Sequence, residues 1–487
     1  MRSPIRLPKY MKSDKAILVL IFLVSVLVRL VVLANTHHEY FGSGMAQGPM
    51  ARYLTLGRGF VINLGFGMHE KEAELDRLID VEDYLKMPGV VGDIIDNEEN
   101  FRPFIAYAMP GQAILLAGTY YIFGEYRYIY LQVIQALVDS LSVFMLYSIA
   151  REFFGSKVAL LSAFLFSIWF LEARLSVAAL RDAWMQVLML ASLYFFLKGS
   201  QRERVLYYLL SGLSIALCVY FRSEVILLPL FYGSILLLRK RSFRSLVYNT
   251  SMMLIPIVLL LSPWTIRNYV VFHKFIPTNV GLWIATWEGF GEFENDFGAV
   301  YSDAITYQQI RDAGHDVEYH SVECDSLFKP KVLDVMKNKT FWYVKVLIKR
   351  AIKIPRKGGP WGIQSIDRAV RDFEEFRAKG GRITEFIKVH PIAFAKNIAV
   401  RLTTLGIFLL AFVGVLFHRR WLECVMVLSV PIYNILIHLP LGSMSRYILP
   451  GNTTLLIFVS FALFQISSRI KTAFQKRNGT SPDQFEY

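Results

Sequence analysis

The run Ala16-Ile-Leu-Val-Leu-Ile-Phe-Leu-Val-Ser-Val-Leu-Val-Arg-Leu-Val-Val-Leu33 holds a single charged residue, Arg29. An apolar run of this length matches the hydrocarbon thickness of about 30 Å that one membrane helix must cross. It has no small-residue cleavage site and is therefore predicted to be an uncleaved anchor. The residues before it hold one acid, Asp14, and a set of basic side chains that predict a cytoplasmic N-terminus: Arg2, Arg6, Lys9, Lys12 and Lys15.

Similar apolar runs follow along the chain. Of the 487 residues, 54% are hydrophobic and 14% are aromatic, whereas soluble domains seldom exceed half apolar composition. The sequence therefore predicts an all-α polytopic membrane protein with about 10–12 transmembrane helices embedded in the lipid bilayer. The later predicted spans are 128–150, 158–171, 183–197, 205–220, 225–238, 246–261, 392–417, 421–438 and 447–466.

The net charge of +14 does not indicate a nucleic-acid partner. The basic residues cluster in short loops and tails, which is the pattern of cytoplasmic loops in membrane proteins. The three cysteines, Cys218, Cys324 and Cys424, are far apart in the sequence. Their spacing predicts neither a disulfide framework nor a metal site.

The basic loops predict which side of the membrane each connection occupies. We expect both termini to be cytoplasmic, in a bacterial or archaeal plasma membrane. The loops placed in the cytoplasm contain Arg151/Lys157, Lys198/Arg202/Arg204, Arg239/Lys240/Arg241/Arg244 and Arg419/Arg420. The segments that then face outside are 35–127, 172–182, 222–224, 265–391 and 439–446.

This topology makes one apolar segment unusual. Residues 104–124 are apolar enough to cross the membrane, yet the parity of the loops places both of their ends outside. We therefore expect an interfacial or re-entrant helix, broken at Met109-Pro110-Gly111, where proline lacks a backbone donor and glycine relaxes the chain. The alternative is a true span with one loop assigned to the wrong side.

The predicted topology divides the chain into four parts. The first is an N-terminal transmembrane module, 1–264, whose large outer loop 35–127 carries juxtamembrane helices. An extracytoplasmic region, 265–391, follows, with a mixed-charge, helical second half. The C-terminal transmembrane helices, 392–466, and a cytoplasmic tail, 467–487, complete the chain. Residues 332–354 and 383–405 are weakly similar, which suggests that the first of these segments is a surface helix.

Charged residues at the outer ends of predicted helices are the candidate functional residues, because charges near lipid are costly unless they serve a site. Arginine's planar fork can hold a phosphate, and a carboxylate can deprotonate a hydroxyl. The alternative is that they anchor helices at the interface or pair between helices. They are Glu39, Asp93, Asp96, Glu98, Glu99, Arg102, Glu172, Arg174, Arg181, Asp182, Arg222, Glu224, Arg267 and Arg446.

His37-His38-Glu39 raises the question of a metal ion. A divalent metal is the candidate cofactor, although no cofactor is established by the sequence. Adjacent histidines on a loop are more often solvated, and no third ligand stands at a suitable spacing.

Several short motifs occur in an order typical of one family. They are Ala51-Arg-Tyr-Leu-Thr-Leu-Gly-Arg-Gly-Phe, Met109-Pro-Gly-Gln, Ala150-Arg-Glu-Phe-Phe-Gly, Leu180-Arg-Asp, Phe221-Arg-Ser-Glu, Ser262-Pro-Trp-Thr-Ile-Arg-Asn-Tyr and Ser445-Arg-Tyr-Ile-Leu-Pro. In this order the chain resembles the polytopic glycosyltransferases of the GT-C type. The resemblance is greatest to the branch that contains protein O-mannosyltransferases and lipid A aminoarabinose transferases.

The resemblance implies an inverting transfer of a sugar from a polyprenyl-phosphate donor on the non-cytoplasmic face. The acceptor would be a hydroxyl of a lipid, a glycan or a protein. In that family an acid of the first outer loop is the general base and an acid of the second outer loop assists. Asp182, with Glu172 nearby, fits the second role. We expect the donor phosphate to be held by Arg267 and Arg446, and substrate to be contacted also by Arg181 and Arg222.

The chain departs from the family at the first acid. An aspartate is expected just before the Ala51 helix, but the sequence there is Gly42-Ser-Gly-Met-Ala-Gln-Gly-Pro49. Glu39 is the candidate base, with Asp93 or Asp96 as substitutes. An inactive family member acting as a scaffold is one alternative function. A flippase or transporter for a lipid-linked glycan is another, and it predicts charges within the spans, of which Asp139 is the clearest.

Overall fold

The computed structural model describes residues 9–36, 47–63, 101–103, 108–124, 128–178, 180–239, 242–317, 321–354, 376, 382–442 and 448–477. Nearly all the regular structure in these ranges is helical, and the predicted all-α polytopic fold is confirmed. The exception is a short antiparallel ribbon in the first outer loop. Its strands are β1, Val61–Asn63, and β2, Phe101–Pro103, with Ile62 opposite Arg102.

The helices of the N-terminal half follow the order of the predicted apolar runs. A 3-10 helix, Ser223–Leu227, joins α9 to α10. The α-helices are α1 Lys9–Thr36, α2 Gln47–Thr55, α3 Gly111–Phe123, α4 Tyr128–Ser140, α5 Ser142–Phe154, α6 Ser156–Ile168, α7 Phe170–Val177, α8 Asp182–Arg202, α9 Val205–Val219, α10 Leu228–Leu238 and α11 Phe243–Phe272.

Within the described ranges, the C-terminal half begins with five α-helices of the region predicted to be extracytoplasmic, α12 to α16. A second 3-10 helix, Leu449–Thr454, precedes the last helix. The α-helices are α12 Leu282–Phe290, α13 Asp303–Asp312, α14 Val322–Asn338, α15 Thr340–Lys353, α16 Ile383–Val389, α17 Pro391–Phe417, α18 Trp421–Val427, α19 Ser429–His438 and α20 Leu455–Arg477.

Within the described ranges, five helical segments are long and apolar enough to cross a membrane, or seven if two bent pairs each count as one span. The bent pairs are α6 with α7, at 57°, and α18 with α19, at 61°. This count is lower than the predicted 10–12, because segments such as α9 are apolar but short. The five segments are Asp14–Thr36, Tyr128–Phe154, Phe243–Phe272, Phe394–Phe417 and Leu449–Gln475.

One apolar core runs through the bundle, from Ile21 in α1 to Val459 in α20. Glycines allow the helices to approach closely where they cross. A Cβ at Gly212 of α9 would collide with the carbonyl of Met253 in α11, and one at Gly414 of α17 with that of Phe458. Small residues at such crossings let backbones pack tightly where lipid supplies no hydrophobic driving force between helices.

The unusual segment 104–124 becomes helix α3, which begins at Gly111, within the predicted Met-Pro-Gly break; residues 104–107 lie outside the described ranges. Its first amide, that of Gly111, donates to the carbonyl of Tyr220 at 2.8 Å. Gly124 ends the helix with a φ of 70°, a conformation that glycine adopts without steric cost. A helix of 13 residues is about 20 Å long and cannot cross about 30 Å of hydrocarbon alone. This length favours the interfacial interpretation.

Residues 282–343 have a core of their own, separate from the bundle core. Trp287 and Phe290 of α12 pack in it against Phe328 and Val332 of α14. Asp325 accepts hydrogen bonds from the amides of Trp283 and Ile284 at 2.8 and 3.1 Å, and so caps the start of α12. Burial raises the pKa of its carboxyl. The mixed-charge part of this region is helical, as the sequence predicts.

Candidate active site

Three charged side chains meet at the termini of α8, α9 and the first 3-10 helix: Asp182, Arg222 and Glu224. Asp182 is the first residue of α8, and Arg222 precedes the 3-10 helix that contains Glu224. The Arg222 Nη1 atom lies 3.2 Å from Asp182 Oδ1, a contact that is an ion pair without hydrogen-bond geometry. Arg222 Nε donates to Glu224 Oε1 at 2.6 Å. Arg222 and Asp182 are 6% and 1% exposed, and the single guanidinium faces two carboxylates, whose combined charge exceeds its own.

His438 completes this group, which we call the Arg222 cluster: Asp182, Arg222, Glu224 and His438. The His438 Nε2 atom lies 3.4 Å from Glu224 Oε1, and its Nδ1 atom lies 2.7 Å from the Asn434 carbonyl oxygen. When Nδ1 donates to that carbonyl, Nε2 can donate toward Glu224 only as the protonated imidazolium. The Tyr433 hydroxyl donates to the Glu224 carbonyl oxygen and ties α19 to the 3-10 helix.

Helix dipoles favour the charges of the Arg222 cluster. Asp182 lies in the first turn of α8, where the positive end of the helix dipole stabilises a carboxylate. His438 is the last residue of α19, where the negative end stabilises a cation. The termini of two helices therefore place an acid and a base at the same end of the bundle.

Helix α2, in the loop predicted to face outside, packs against residues that adjoin Asp182 and Arg222 in the sequence. Ala51 of α2 is fully buried in a small core with Trp184 and Phe221, whose rings stack at 5.5 Å. Trp184 follows Asp182 by two residues, and Phe221 precedes Arg222. The Trp184 Nε1 atom also donates to Gln112 Oε1 of α3 at 3.0 Å. The predicted helix around Ala51 is thus present and adjoins the cluster.

Arg267, a predicted phosphate ligand, lies near the C-terminal end of α11 and is half-buried. Its Nη2 atom donates to the carbonyl oxygen of Phe60 at 3.1 Å, and its Nη1 atom donates to Asn268 Oδ1 at 3.0 Å. The guanidinium stands 5.2 Å from the Trp264 ring centroid. Arg267 is therefore placed against the first outer loop, just after α2.

The remaining predicted site residues are placed as follows. Arg181 is half-buried at the N-cap of α8, next to Asp182. Glu39, Asp93, Asp96 and Arg446 lie outside the described residues, so their roles stay predictions.

The metal hypothesis receives no support from the described part of the chain. His37 and His38 lie outside it, and within it no group of three or more His, Cys, Asp or Glu side chains could hold a metal ion. The guanidinium of Arg222 beside Asp182 would also repel a cation there. No step is therefore assigned to a metal.

A second buried charge cluster lies deeper in the bundle, and we call it the Arg29 cluster: Arg29, Asp139 and Glu172. The Arg29 Nε atom donates to Asp139 Oδ2 at 2.6 Å, and its Nη1 atom donates to Ser25 Oγ at 2.7 Å. Glu172, 1% exposed, lies within electrostatic range of both Asp139 and Arg29. The charged groups that act on Glu172, which the sequence places near Asp182, are therefore Asp139 and Arg29.

Two members of the Arg222 cluster are not predicted as site residues by the sequence. Glu224 is one of many charges at predicted outer helix ends, and His438 is the last residue of a predicted span. The available signal for His438 was a basic residue in the last turn of an apolar helix, directly before Leu439-Pro440. That signal is weak without knowledge of which carboxylate faces it.

Comparison with known proteins adds a family. Residues 108–266 match the family described as dolichyl-phosphate-mannose-protein mannosyltransferase. The resemblance to GT-C glycosyltransferases is confirmed. The matched segment is about one third of the chain and contains Asp182, Arg222 and Glu224. No curated protein matches the sequence.

Solved structures give a likeness in fold. One is the oligosaccharyltransferase of Archaeoglobus fulgidus tethered with an acceptor peptide containing the NVT sequon; its TM-score is 0.51 at 15% identity, over 97% of this chain and 51% of that chain. Another is the archaeal oligosaccharyltransferase AglB of the same organism in complex with an inhibitory peptide and a dolichol-phosphate, with a TM-score of 0.49, 13% identity, and coverage of 97% and 52%. The chain spans about half the length of these proteins.

Proposed function

We propose that the chain is a membrane glycosyltransferase that moves a sugar from a polyprenyl-phosphate donor to an acceptor hydroxyl, with inversion, on the non-cytoplasmic face. The observation that carries this proposal is the Arg222 cluster, in which a buried aspartate, a partly buried glutamate, an arginine and a histidine gather near the first-loop helix α2. Three of its four residues lie in the segment that matches the mannosyltransferase family. That family's name describes a lipid-phosphate sugar donor.

The proposed reaction needs a base, and Glu39 is our candidate. It lies in the segment between α1, which ends at Thr36, and α2, which begins at Gln47. The acceptor oxygen would attack the anomeric carbon from the side opposite the phosphate as Glu39 takes the hydroxyl proton. The bond between the anomeric carbon and the phosphate oxygen would break, and polyprenyl phosphate would leave. Inversion follows from attack on the opposite side.

Asp182 would position the reacting groups. Arg222 holds this carboxylate and that of Glu224 in a buried place, and a buried ion pair retains charge that burial alone would neutralise. Because the charge of Arg222 is already balanced, we assign it to holding the carboxylates. The donor phosphate would instead be bound by Arg267, whose planar fork faces the first loop, with Arg181 and Arg446 as further candidates.

The decisive experiment incubates the purified protein with a panel of radiolabelled polyprenyl-phosphate sugars and a membrane extract. A labelled product would identify both the donor and the acceptor. Transfer from none of the donors would overturn the proposal and favour the scaffold function.

Glu39→Gln and Asp182→Asn test the assigned roles in the same assay. Loss of a general base costs on the order of 10² to 10⁴ in rate, so we expect Glu39→Gln to lose most transfer while still entering the membrane. Asp296→Asn is the matched control, because Asp296 is an exposed acid that pairs with Lys339 far along the chain. Wild-type turnover in Glu39→Gln would remove Glu39 from the mechanism and shift the role of base to Asp93 or Asp96.

A further inference from the structure

Helix α15, Thr340–Lys353, carries a stripe of exposed apolar side chains. Phe341, Val344, Ile348 and Ile352 are 85%, 45%, 56% and 54% exposed. Their spacing of three or four residues puts them on one face of the helix. We call these four residues the α15 stripe. A contiguous exposed apolar face in a charged region is typical of an interaction surface.

The opposite face of α15 is fixed to the rest of the protein through Arg350, which is fully buried. At about 100° per residue, Arg350 lies about 180° around the helix from Phe341. Its Nη1 atom donates to the carbonyl oxygens of Leu439 and Pro440 at 2.6 and 2.9 Å. Its Nε atom donates to Glu292 Oε2 at 3.1 Å. The α15 stripe therefore points away from the protein.

The contact with Leu439 and Pro440 also fixes the position of α15 along the membrane normal. These two residues follow directly after His438, the last residue of the apolar pair α18–α19, which is long enough to count as one bent membrane span. The helix that holds their carbonyls thus lies where this span ends. A helix at that level with an apolar face turned away from the protein meets the boundary between lipid tails and headgroups.

The charges of α15 suit the same boundary. Lys345 and Lys349 are exposed and lie on one edge of the α15 stripe. Lys353 follows on the same side but pairs with Glu292 at 2.9 Å, so Lys345 and Lys349 are the two lysines considered below. Lysines bordering an apolar face can place their ammonium groups among lipid phosphates while their methylenes follow the apolar surface. Anionic lipid attracts such residues. This charge pattern favours a lipid surface, and not an apolar protein surface, as the partner that covers the α15 stripe.

We propose that α15 is an interfacial helix that binds the membrane surface. The α15 stripe enters about 5–10 Å into the boundary between headgroups and acyl chains, and the lysines contact anionic headgroups. Because Arg350 joins the other face to the turn after His438, the same contact holds that turn at the membrane surface. The inference does not depend on the proposed transfer reaction.

Fluorescent labels on single cysteines of the full chain test this inference. Ile348→Cys and Phe341→Cys place a thiol-linked, environment-sensitive dye on the α15 stripe, and Lys337→Cys places it on the exposed surface of α14 as a matched control. The native cysteines, Cys218, Cys324 and Cys424, are buried, and the wild-type protein measures their background labelling. Each variant is reconstituted into vesicles of neutral and anionic phospholipid and compared with the wild type by gel filtration.

We expect the two stripe labels to emit at shorter wavelength than the control. Nitroxide groups on lipid tails should quench them several-fold more than the control, whereas iodide in the water should quench the control more. Stripe labels that iodide quenches as strongly as the control would overturn the proposal, since the face would then be in water. Protection from both quenchers would also overturn it, by showing that a second copy or another protein covers the stripe. If Ile348→Cys folds poorly, Phe341→Cys decides alone, because its side chain is almost fully exposed.

Discussion

Arg29 and Arg222 are both buried arginines that meet an aspartate, but they lie in different parts of the bundle. Arg29 lies within the candidate span Asp14–Thr36 and bonds Asp139, which lies within the candidate span Tyr128–Phe154, at 2.6 Å. Arg222 is at the junction of α9 and a 3-10 helix, and it meets an aspartate at the start of α8. The Arg29–Asp139 pair joins the interiors of two candidate spans, and the Arg222 cluster joins helix ends.

From this difference we assign a structural role to the Arg29 cluster and keep the proposed catalytic role for the Arg222 cluster. The Arg29 guanidinium is closed in by Ser25, Asp139 and the ring of Phe166, 4.7 Å from the ring centroid. The transporter alternative predicts mid-span charges along a path, but Arg29 and Asp139 are bonded to each other. The Arg222 cluster differs in that it includes a histidine, His438, and lies at helix termini near α2. The proposed transfer reaction would use this second arrangement.

The largest expected effect concerns the Arg29 cluster. Asp139→Ala leaves Arg29 buried without its carboxylate, and breaking a buried pair costs about 3–5 kcal/mol of unfolding free energy. Thermal unfolding in detergent should show this loss, while transfer per folded molecule stays unchanged.

Replacing both partners supplies the control for that prediction. Arg29→Met with Asp139→Leu should recover most of the lost stability, because apolar residues of similar volume often substitute well for a buried pair. If the double variant is stable but inactive, the Arg29 cluster takes part in function and the separation drawn above is wrong.

Arg222→Lys should lower turnover per folded molecule more than it lowers stability, which is the opposite of the effect expected for Asp139→Ala. Lysine has no planar fork and cannot meet Asp182 and Glu224 together, so the two carboxylates would lose the positions that the proposed reaction needs. We expect a rate loss of about 10- to 100-fold with a modest change in melting temperature. Arg29→Lys is the matched variant, and it should lose stability with little change in turnover per folded molecule. Equal turnover of Arg222→Lys and wild type would contradict the assignment.

A smaller effect is expected where α3 docks beside the Arg222 cluster. A Cβ at Gly111 would lie 2.6 Å from the Tyr220 carbonyl oxygen, so Gly111→Ala should shift α3 and cost about 1–3 kcal/mol. Gly118 lies in the same helix with nothing within 4 Å of an added Cβ. Gly118→Ala should therefore be neutral or stabilise by up to about 1 kcal/mol. Unfolding and turnover of both variants test this, and equal behaviour would show that α3 tolerates displacement.

The smallest effect belongs to an exposed pair, Lys274–Glu323, at 2.8 Å with side chains 50% and 61% exposed. The hydrogen bond from Lys274 lowers the pKa of Glu323. This contribution is therefore present above the unfolded pKa of about 4.3 and is lost as the pH falls through the lower folded value. Glu323→Gln should cost less than about 1 kcal/mol near pH 7 and nothing at acid pH. A larger loss, measured by chemical denaturation at both pH values, would mean that exposed pairs contribute more here than expected.

Several structural features were predictable from local sequence. The length of the apolar run predicts α1. The chemistry of proline and glycine predicts the break at Met109-Pro110-Gly111, and the order of the motifs predicts the helix around Ala51. Each of these signals lies within a short stretch of neighbouring residues. The number of full-length spans was not predictable, because kinks such as that between α6 and α7 arise from packing that hydropathy does not contain. For the Arg222 cluster, the sequence predicts Asp182 and Arg222 as site residues. It does not predict that these two side chains contact each other.

The sequence by itself determined that the chain is an all-helical membrane protein with a GT-C resemblance and charges at helix ends. Hydropathy and charge act over a few neighbouring residues, so a linear reading can detect them. Only the tertiary structure decided that Glu224 and His438 join Asp182 and Arg222, that Asp139 pairs with Arg29, and that Arg350 of α15 contacts Leu439 and Pro440. Those contacts join residues far apart in the sequence, and they form only when helix packing fixes which faces meet.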